Sequence, residues 1–501
     1  MRVGKNFLMG LTSSIWVAAL GFLVVPLYLR YLGIGAYGLI GFFATMQAIL
    51  SLVDFGIVPT INREVARSKA IGVSEGLGDL LYMLERIYFL VGLVVAIGII
   101  ALSEFIANHW LNSGELEVTT LRQAVILMGI VFACRWPIGL YQGALQGAQQ
   151  ISLISKINIC AATINSLGAV TILAFISPTI EAFFIWQAII AFATLLLMRK
   201  VAWRQIGPHG ESSIRWTLLK RIWKFSAGMT GVGLSGLMLM QLDKVLLSRL
   251  VSLEDFGVYA LAGVVASGLY VFLTPLFNVI YPKMSELVAA GNEVKLISFY
   301  ESSTRIFLSL FFPVALTAII FSKSLLVIWT GNADLAARAA PVVQLILFGT
   351  TLNGLMHFPY ALQLAFGKTK LPLFINSILL GVSVPLIILL TSHYGVIGGA
   401  GAWAILNTVY VLIGIWITHR SILIGLGAKW TIKDVGIPLI TSISILVVGG
   451  QIIFYANVGE ALNLFFGSIL CVMTIGLALL SSKDSTTILL QEFHIYFRKS
   501  K

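Results

Sequence analysis

Charge is scarce in this chain of 501 residues: only 11% of positions are Asp, Glu, Lys or Arg, against roughly 25% in soluble globular domains. With 58% hydrophobic residues and a mean hydropathy of +0.96, the composition excludes an ordinary water-soluble fold. Long polar stretches are missing too. The longest, about 199–224 and 283–304, are linker-sized and leave no room for a separate soluble domain. Cysteine is nearly absent. Cys134, Cys160 and Cys471 all fall inside apolar runs, so there is neither a disulfide framework nor a zinc-ligand spacing, and the three read as small core residues. No carboxylate pair or metal-ligand cluster stands out.

What the chain has is apolar length. Runs of about 20 residues, each able to cross roughly 30 Å of hydrocarbon, are expected at about 7–31, 34–60, 81–106, 119–145, 152–176, 182–198, 223–249, 257–281, 306–330, 341–366, 371–392, 396–418, 435–456 and 462–481. The first is too long for the roughly 7–15-residue core of a signal peptide and stays as a spanning helix. Backbone polar groups in lipid must be satisfied within their own segment. The expectation is therefore an all-α polytopic membrane protein of about 14 transmembrane helices.

The basic residues are distributed unevenly between the loops. If the N-terminus is cytoplasmic, 25 of the 33 Lys and Arg, Arg305 among them, fall on inner tails and loops. Arg30, Arg122, Lys244, Arg249, Lys323 and Arg338 fall toward the outside, and Arg86 and Arg135 lie within segments. This asymmetry puts both termini inside, with an even number of spans, and explains the net charge of +12 as topology plus attraction to anionic inner-leaflet lipid, with no nucleic-acid partner.

The sequence also restarts itself. Arg30 precedes Tyr37-Gly38 as Arg249 precedes Phe256-Gly257, each pair of positions 219 residues apart, and Gly147 and Gly367 close similar runs 220 apart. Two copies of six helices running in the same direction form a parallel repeat. The expected division is an N-lobe at 1–204, a basic cytoplasmic linker at 205–224, a C-lobe at 225–420, and two extra helices with a tail at 421–501.

Four stretches carry a resemblance: Val25-Pro-Leu-Tyr-Leu-Arg-Tyr-Leu-Gly33 with Tyr37-Gly38; Val53-Asp-Phe-Gly56; Met240-Gln-Leu-Asp-Lys-Val-Leu-Leu-Ser-Arg249 with Phe256-Gly-Val-Tyr-Ala-Leu; and Tyr394-Gly-Val-Ile-Gly-Gly-Ala-Gly-Ala-Trp403. In combination and order the chain resembles the polysaccharide-unit flippases (O-antigen, capsule, exopolysaccharide) of the multidrug/oligosaccharidyl-lipid/polysaccharide exporter superfamily. The last helix pair is similar to the fourteen-helix layout of lipid II flippases. The resemblance implies a non-enzymatic transporter of the bacterial inner membrane. It would carry undecaprenyl-diphosphate-linked oligosaccharide to the outer leaflet by alternating access, with a polysaccharide polymerase and chain-length machinery as partners. A cation-coupled drug exporter of the same superfamily, or a membrane glycan polymerase or ligase, are the alternatives.

A diphosphate substrate needs cations along its path, and arginine suits it because its planar fork grips phosphate oxygens bidentately. Arg135, deep in the fourth segment beside Trp136 and Pro137, is the leading candidate, since a charge at that depth must face a cavity or a partner. Asp54 or Glu85 would be such a partner. Arg30 and Arg249 sit where they either line the outer mouth or snorkel to the interface. Arg86 and Arg63 are placed to receive the diphosphate on the inner side, Arg63 having a plain inner-loop role as its alternative. Asp243, Lys244 and Asp54 are coupling or ion-pair candidates: a carboxylate there either takes up H⁺ or Na⁺ or closes a salt bridge. No other cofactor and no metal is expected. The amides Gln142, Gln146, Gln149, Asn158 and Asn165 are expected near the turn between the fourth and fifth segments, and Gly143 and Gly147 at a close helix contact.

Overall fold

The computed structural model describes residues 2–51, 57–71, 76–112, 114, 116–207, 236 and 238–481. The expected linker at 205–224 lies outside these from residue 208 onward, and Asp54 lies outside them as well. The chain is all-α. Its helices are α1 (Arg2–Leu50), α2 (Ile57–Ile71), α3 (Leu77–Phe105, continued by a π turn Ile106–Trp110), α4 (Val118–Gly147), α5 (Ile151–Phe175) and α6 (Ile180–Ile206). After α7 (238–250) come α8 (Leu253–Ala289), α9 (Glu293–Ile320), α10 (Ser322–Thr330), α11 (Ala333–Leu355), α12 (His357–Ala365) and α13 (Lys370–Ser421). The last are α14 (Leu426–Lys429), a π turn Trp430–Gly436, α15 (Ile437–Tyr455) and α16 (Glu460–Leu480).

Among the described residues, 11 helices are long and apolar enough to cross a membrane. Two of them, α1 and α13, hold two expected segments each and break at Gly33 (φ 77) and Gly395 (φ 58). With α7 this accommodates the fourteen segments. Positive φ is open to glycine because it has no Cβ, so the sequence places both breaks.

The repeat is visible in the element boundaries. Ile34, the residue after the α1 break, and Leu253, the start of α8, are 219 apart, as are the starts of α5 and α13 at Ile151 and Lys370. The turn after α4 and the turn after α12 are built alike. Ala148, Gln149 and Gln150 donate main-chain bonds to Ala144, Gln146 and Leu145, while Phe366, Gly367 and Lys368 donate to Leu362, Leu364 and Gln363. Every one of these pairs is offset by 218. The counterpart of Gly367 (φ 68) is therefore Gln149 (φ 57), and the expected Gly147/Gly367 equivalence is corrected by two residues. A left-handed position prefers glycine but admits a polar residue at some strain, which hid the match.

The described chain forms two compact units, Met1–Gly257 and Val258–Lys501. In the first, α2, α3, α4 and α6 enclose a core of Ile61, Val65, Leu81, Leu84, Tyr141, Leu145 and Met198. Gly143 and Gly147 let α4 touch α2, since a Cβ on either would lie 2.9 Å from Val58 O and 2.3 Å from Asn62 O. Small residues at such crossings are the means by which helices associate in lipid. The second apolar segment, expected to reach residue 60, ends at Leu50 in α1, and Arg63, Arg67 and Lys69 lie on the separate helix α2.

The two repeat glycines meet each other at the edge of this unit. A Cβ on Gly38 would lie 2.2 Å from Leu253 O, and one on Gly257 2.3 Å from Ile34 O. Leu253 N also donates to Asn112 O at 3.1 Å, and Trp110 Nε1 donates to Ser248 Oγ at 3.1 Å.

In the second unit, α15 and α16 pack against α9 and α10. Gly450 approaches Ile320 and Gly467 approaches Phe321, and Ser309 Oγ donates to Ala478 O at 3.3 Å. Arg305, expected on an inner loop, is instead a buried residue of α9 whose guanidinium binds Asp434. Trp430 is fully buried beside this pair, stacked on Tyr300 at 5.2 Å and donating to Thr304 Oγ1 at 3.1 Å. An acid 129 residues downstream makes the cation tolerable inside, so α9 begins thirteen residues earlier than the expected start at 306.

Candidate functional site

α4 is 30 residues long, about 45 Å at 1.5 Å per residue, and Arg135 stands 17 residues from its start and 12 from its end. Its charge is thus near mid-bilayer depth. Two residues on, Pro137 lies inside the helix; it has no N–H to give to the Ala133 carbonyl, so one helix bond is missing beside the arginine.

Three helices supply the groups around Arg135. Its Nη1 donates to Gln47 Oε1 of α1 at 3.0 Å, and Nη2 donates to Gln187 Oε1 of α6. The same Gln187 oxygen accepts from Asn165 Nδ2 of α5 at 3.0 Å. The guanidinium lies over the Phe43 ring, 5.5 Å from its centroid, and Phe43 is fixed edge-on against Phe184 at 5.4 Å. Trp186 Nε1 ties the backbone of Asn165 at 3.1 Å.

The electrostatics follow from the partner types. Amide oxygens orient a guanidinium but do not neutralise it, and among the described residues no carboxylate pairs with Arg135. Glu85, one of its expected alternatives, is engaged elsewhere: it accepts from Arg199 at 2.9 Å and from Trp203 Nε1 at 2.7 Å. Arg135 is half-buried, and the bonds to Gln47 and Gln187 use two of its five N–H donors. A guanidinium that, among the described residues, meets only neutral groups at membrane depth is chemically an anion site.

The other sequence candidates lie apart from this cluster. Arg30 is exposed, 6.0 Å from the Tyr31 ring centroid. Arg249 is exposed and lies over Trp110 at 5.4 Å, so the two repeated arginines are both set on aromatic rings. Arg86 is exposed over Tyr82 at 4.4 Å and donates to its hydroxyl. Arg63, on α2, is 3.6 Å from Glu64. Asp243 is buried on α7, with Lys244 Nζ 3.9 Å from its Oδ1; that amine also donates to Met240 O at 2.9 Å.

Gln47 and Gln187 escaped the sequence reading, although each is a lone amide within an expected span, which is the signal that could have found them. Asn165 was expected beside the turn between α4 and α5. It sits 14 residues into α5 and belongs to the arginine cluster, while Gln142 bonds Asn158 at 3.2 Å and Asn62 bonds Gln146 at 3.3 Å nearer the turn. Trp136 faces α3, stacked on Tyr88 at 5.6 Å and 3.5 Å from where a Gly92 Cβ would be.

Fold and site together define a polytopic membrane protein with an arginine at mid-depth that, among the described residues, no carboxylate neutralises. The chain belongs to the polysaccharide biosynthesis protein family, within the multidrug/oligosaccharidyl-lipid/polysaccharide exporter superfamily: the family's model matches residues 3–288, and the MatE model matches residues 234–389. A Shigella flexneri protein described as a candidate O-antigen transporter is 21% identical over 427 residues, covering 81% of this chain and 94% of that protein. Among solved structures, the lipid II flippase MurJ in an inward closed conformation superposes with a TM-score of 0.69 at 14% identity, over 93% of this chain and 98% of that one. An inward-facing multidrug resistance MATE transporter gives 0.61 at 13% identity, over 85% and 95%. These structural likenesses are likenesses of fold.

Proposed function

We propose that the protein flips undecaprenyl-diphosphate-linked oligosaccharide repeat units from the cytoplasmic to the outer leaflet of the bacterial inner membrane, by alternating access of two lobes at 1–204 and 225–420. The observation that carries this reading is Arg135, held at mid-depth by Gln47 and Gln187 with donors to spare. A diphosphate passing through hydrocarbon needs a cation that meets it halfway, and one already neutralised by a carboxylate would not serve. The sugar follows the diphosphate, and the polyprenyl chain remains in lipid. The family match supports a role in polysaccharide biosynthesis. Both termini are then cytoplasmic, and a polysaccharide polymerase and chain-length machinery act on the product. Asp243 is the candidate for coupling to H⁺ or Na⁺.

The superfamily also contains drug exporters, but a guanidinium at mid-depth repels a cationic drug. In proteoliposomes loaded with fluorescently labelled undecaprenyl-diphosphate oligosaccharide, the wild type should move label between leaflets. Arg135→Ala should slow that movement by tenfold to a hundredfold, the kinetic equivalent of losing charge-assisted hydrogen bonds worth about 1.5–3 kcal/mol. Export of cationic dyes without any glycolipid movement would reverse the assignment.

A further inference from the structure

The second unit has a face that the arginine site does not use. On α8, Ser267, Tyr270, Thr274, Asn278 and Tyr281 follow one another at intervals of 3, 4, 4 and 3, so they share one side of the helix. Ser267, Thr274, Asn278 and Tyr281 are exposed and Tyr270 is half-buried. Roughly opposite them Phe272 and Val279 are exposed at 45% and 56%, as befits a lipid-facing side. On one flank between them Ala266, Leu269, Leu273, Ile280 and Met284 are buried in the protein, while the other flank carries the exposed Val271 and Pro275. A run of polar side chains along one line of an otherwise apolar exposed surface belongs against water or a polar ligand.

Aromatic rings gather at the end of this stripe. Phe277 stacks on Tyr281 at 5.7 Å and 11°, and on Tyr360 of α12 at 5.6 Å and 24°; His357 meets it edge-on at 6.0 Å. Tyr281 remains 36% exposed. At 37 residues α8 is about 55 Å long, well beyond the roughly 30 Å of hydrocarbon. Asn278 and Tyr281, 25 and 28 residues past Leu253, therefore lie at headgroup level, and Thr274, Tyr270 and Ser267 lead inward from them.

We propose that this stripe is a carbohydrate-binding face, with Tyr281 as the platform for a pyranose ring and Asn278 and Thr274 as hydrogen-bond partners for its hydroxyls. The C–H face of a pyranose carries slight positive charge and packs on the negative face of an aromatic ring, while an amide both donates to and accepts from hydroxyls. The residues of the stripe are all neutral, in contrast to Arg135. The inference rests on the flippase reading and deepens it by assigning a glycan-binding face to the second unit, at the level where a lipid-linked sugar stands in its leaflet.

The test uses full-length protein in nanodiscs and two probes: the undecaprenyl-diphosphate-linked saccharides extracted from the membranes in which the protein resides, and sugar-free undecaprenyl diphosphate. The wild type should prefer the glycosylated probe. Tyr281→Ala and Asn278→Ala should each weaken binding of that probe at least fivefold and leave the sugar-free probe unchanged, and Tyr281→Phe should retain the preference. Arg135→Ala should weaken both. Loss of binding to both probes in Tyr281→Ala, loss of neither, or a wild type without preference overturns the carbohydrate face, because an interfacial anchor would not sense the sugar. A wild type that binds neither probe overturns the flippase reading itself.

Discussion

Arg305, buried, and Arg135, half-buried, behave differently because their partners differ. Arg305 is closed off by Asp434 and by the Trp430–Tyr300 stack. Arg135 meets amides and the Phe43 ring. The first arrangement holds helices together, and Asp434→Ala should strand a buried cation and cost about 3–5 kcal/mol. The double change Arg305→Met with Asp434→Leu should restore most of that loss, read as thermal unfolding in detergent. Arg135 was legible in the sequence because a single charge interrupts an apolar run. Arg305 was not, because it stands at the edge of its run and looks like one more inner-loop cation until the distant Asp434 is brought to it. Gln47 and Gln187 were hidden for a related reason: a neutral amide inside a span most often bonds a neighbouring helix, and only the fold shows that these two converge on a charge.

At the scale of elements, helix contacts in this membrane protein depend on glycines that expose backbone. Gly147→Ala would put a methyl 2.3 Å from Asn62 O, whereas Gly21→Ala has open space around it. The first should destabilise by about 1–3 kcal/mol through overpacking. The second should be neutral or stabilise by about 0.5–1 kcal/mol, since alanine favours the helix; paired melting curves of the two variants decide the point. The Gly143/Gly147 contact was readable from its spacing. The boundary of α9 and the breaks at Phe321 and Met356 were not, because hydropathy averages over a window and does not register where one helix stops and the next begins without changing polarity.

At the scale of the whole chain, the repeat could be read from Arg30/Arg249 and the two aromatic–glycine pairs, and the element boundaries follow it at offsets of 218 and 219. Sequence alone could not show that residues 238–257 group with the first compact unit. A fragment ending at residue 207 lacks the Gly38/Gly257 crossing and the Trp110–Ser248 bond, and one ending at residue 257 keeps both. The longer fragment should melt at a higher temperature in detergent; equal melting of the two would show that the crossing contributes nothing.

That crossing also sets a clock for biogenesis. Gly38 and Gly257 are separated by 219 residues, and at roughly 5–20 residues per second the ribosome needs about 10–45 s to synthesise the chain between them. Throughout that interval the nascent first unit sits in the bilayer with the main-chain oxygen of Ile34 and the bare backbone of Gly38 uncovered. A chaperone or insertase that shields this notch until α8 emerges would protect the protein during that wait.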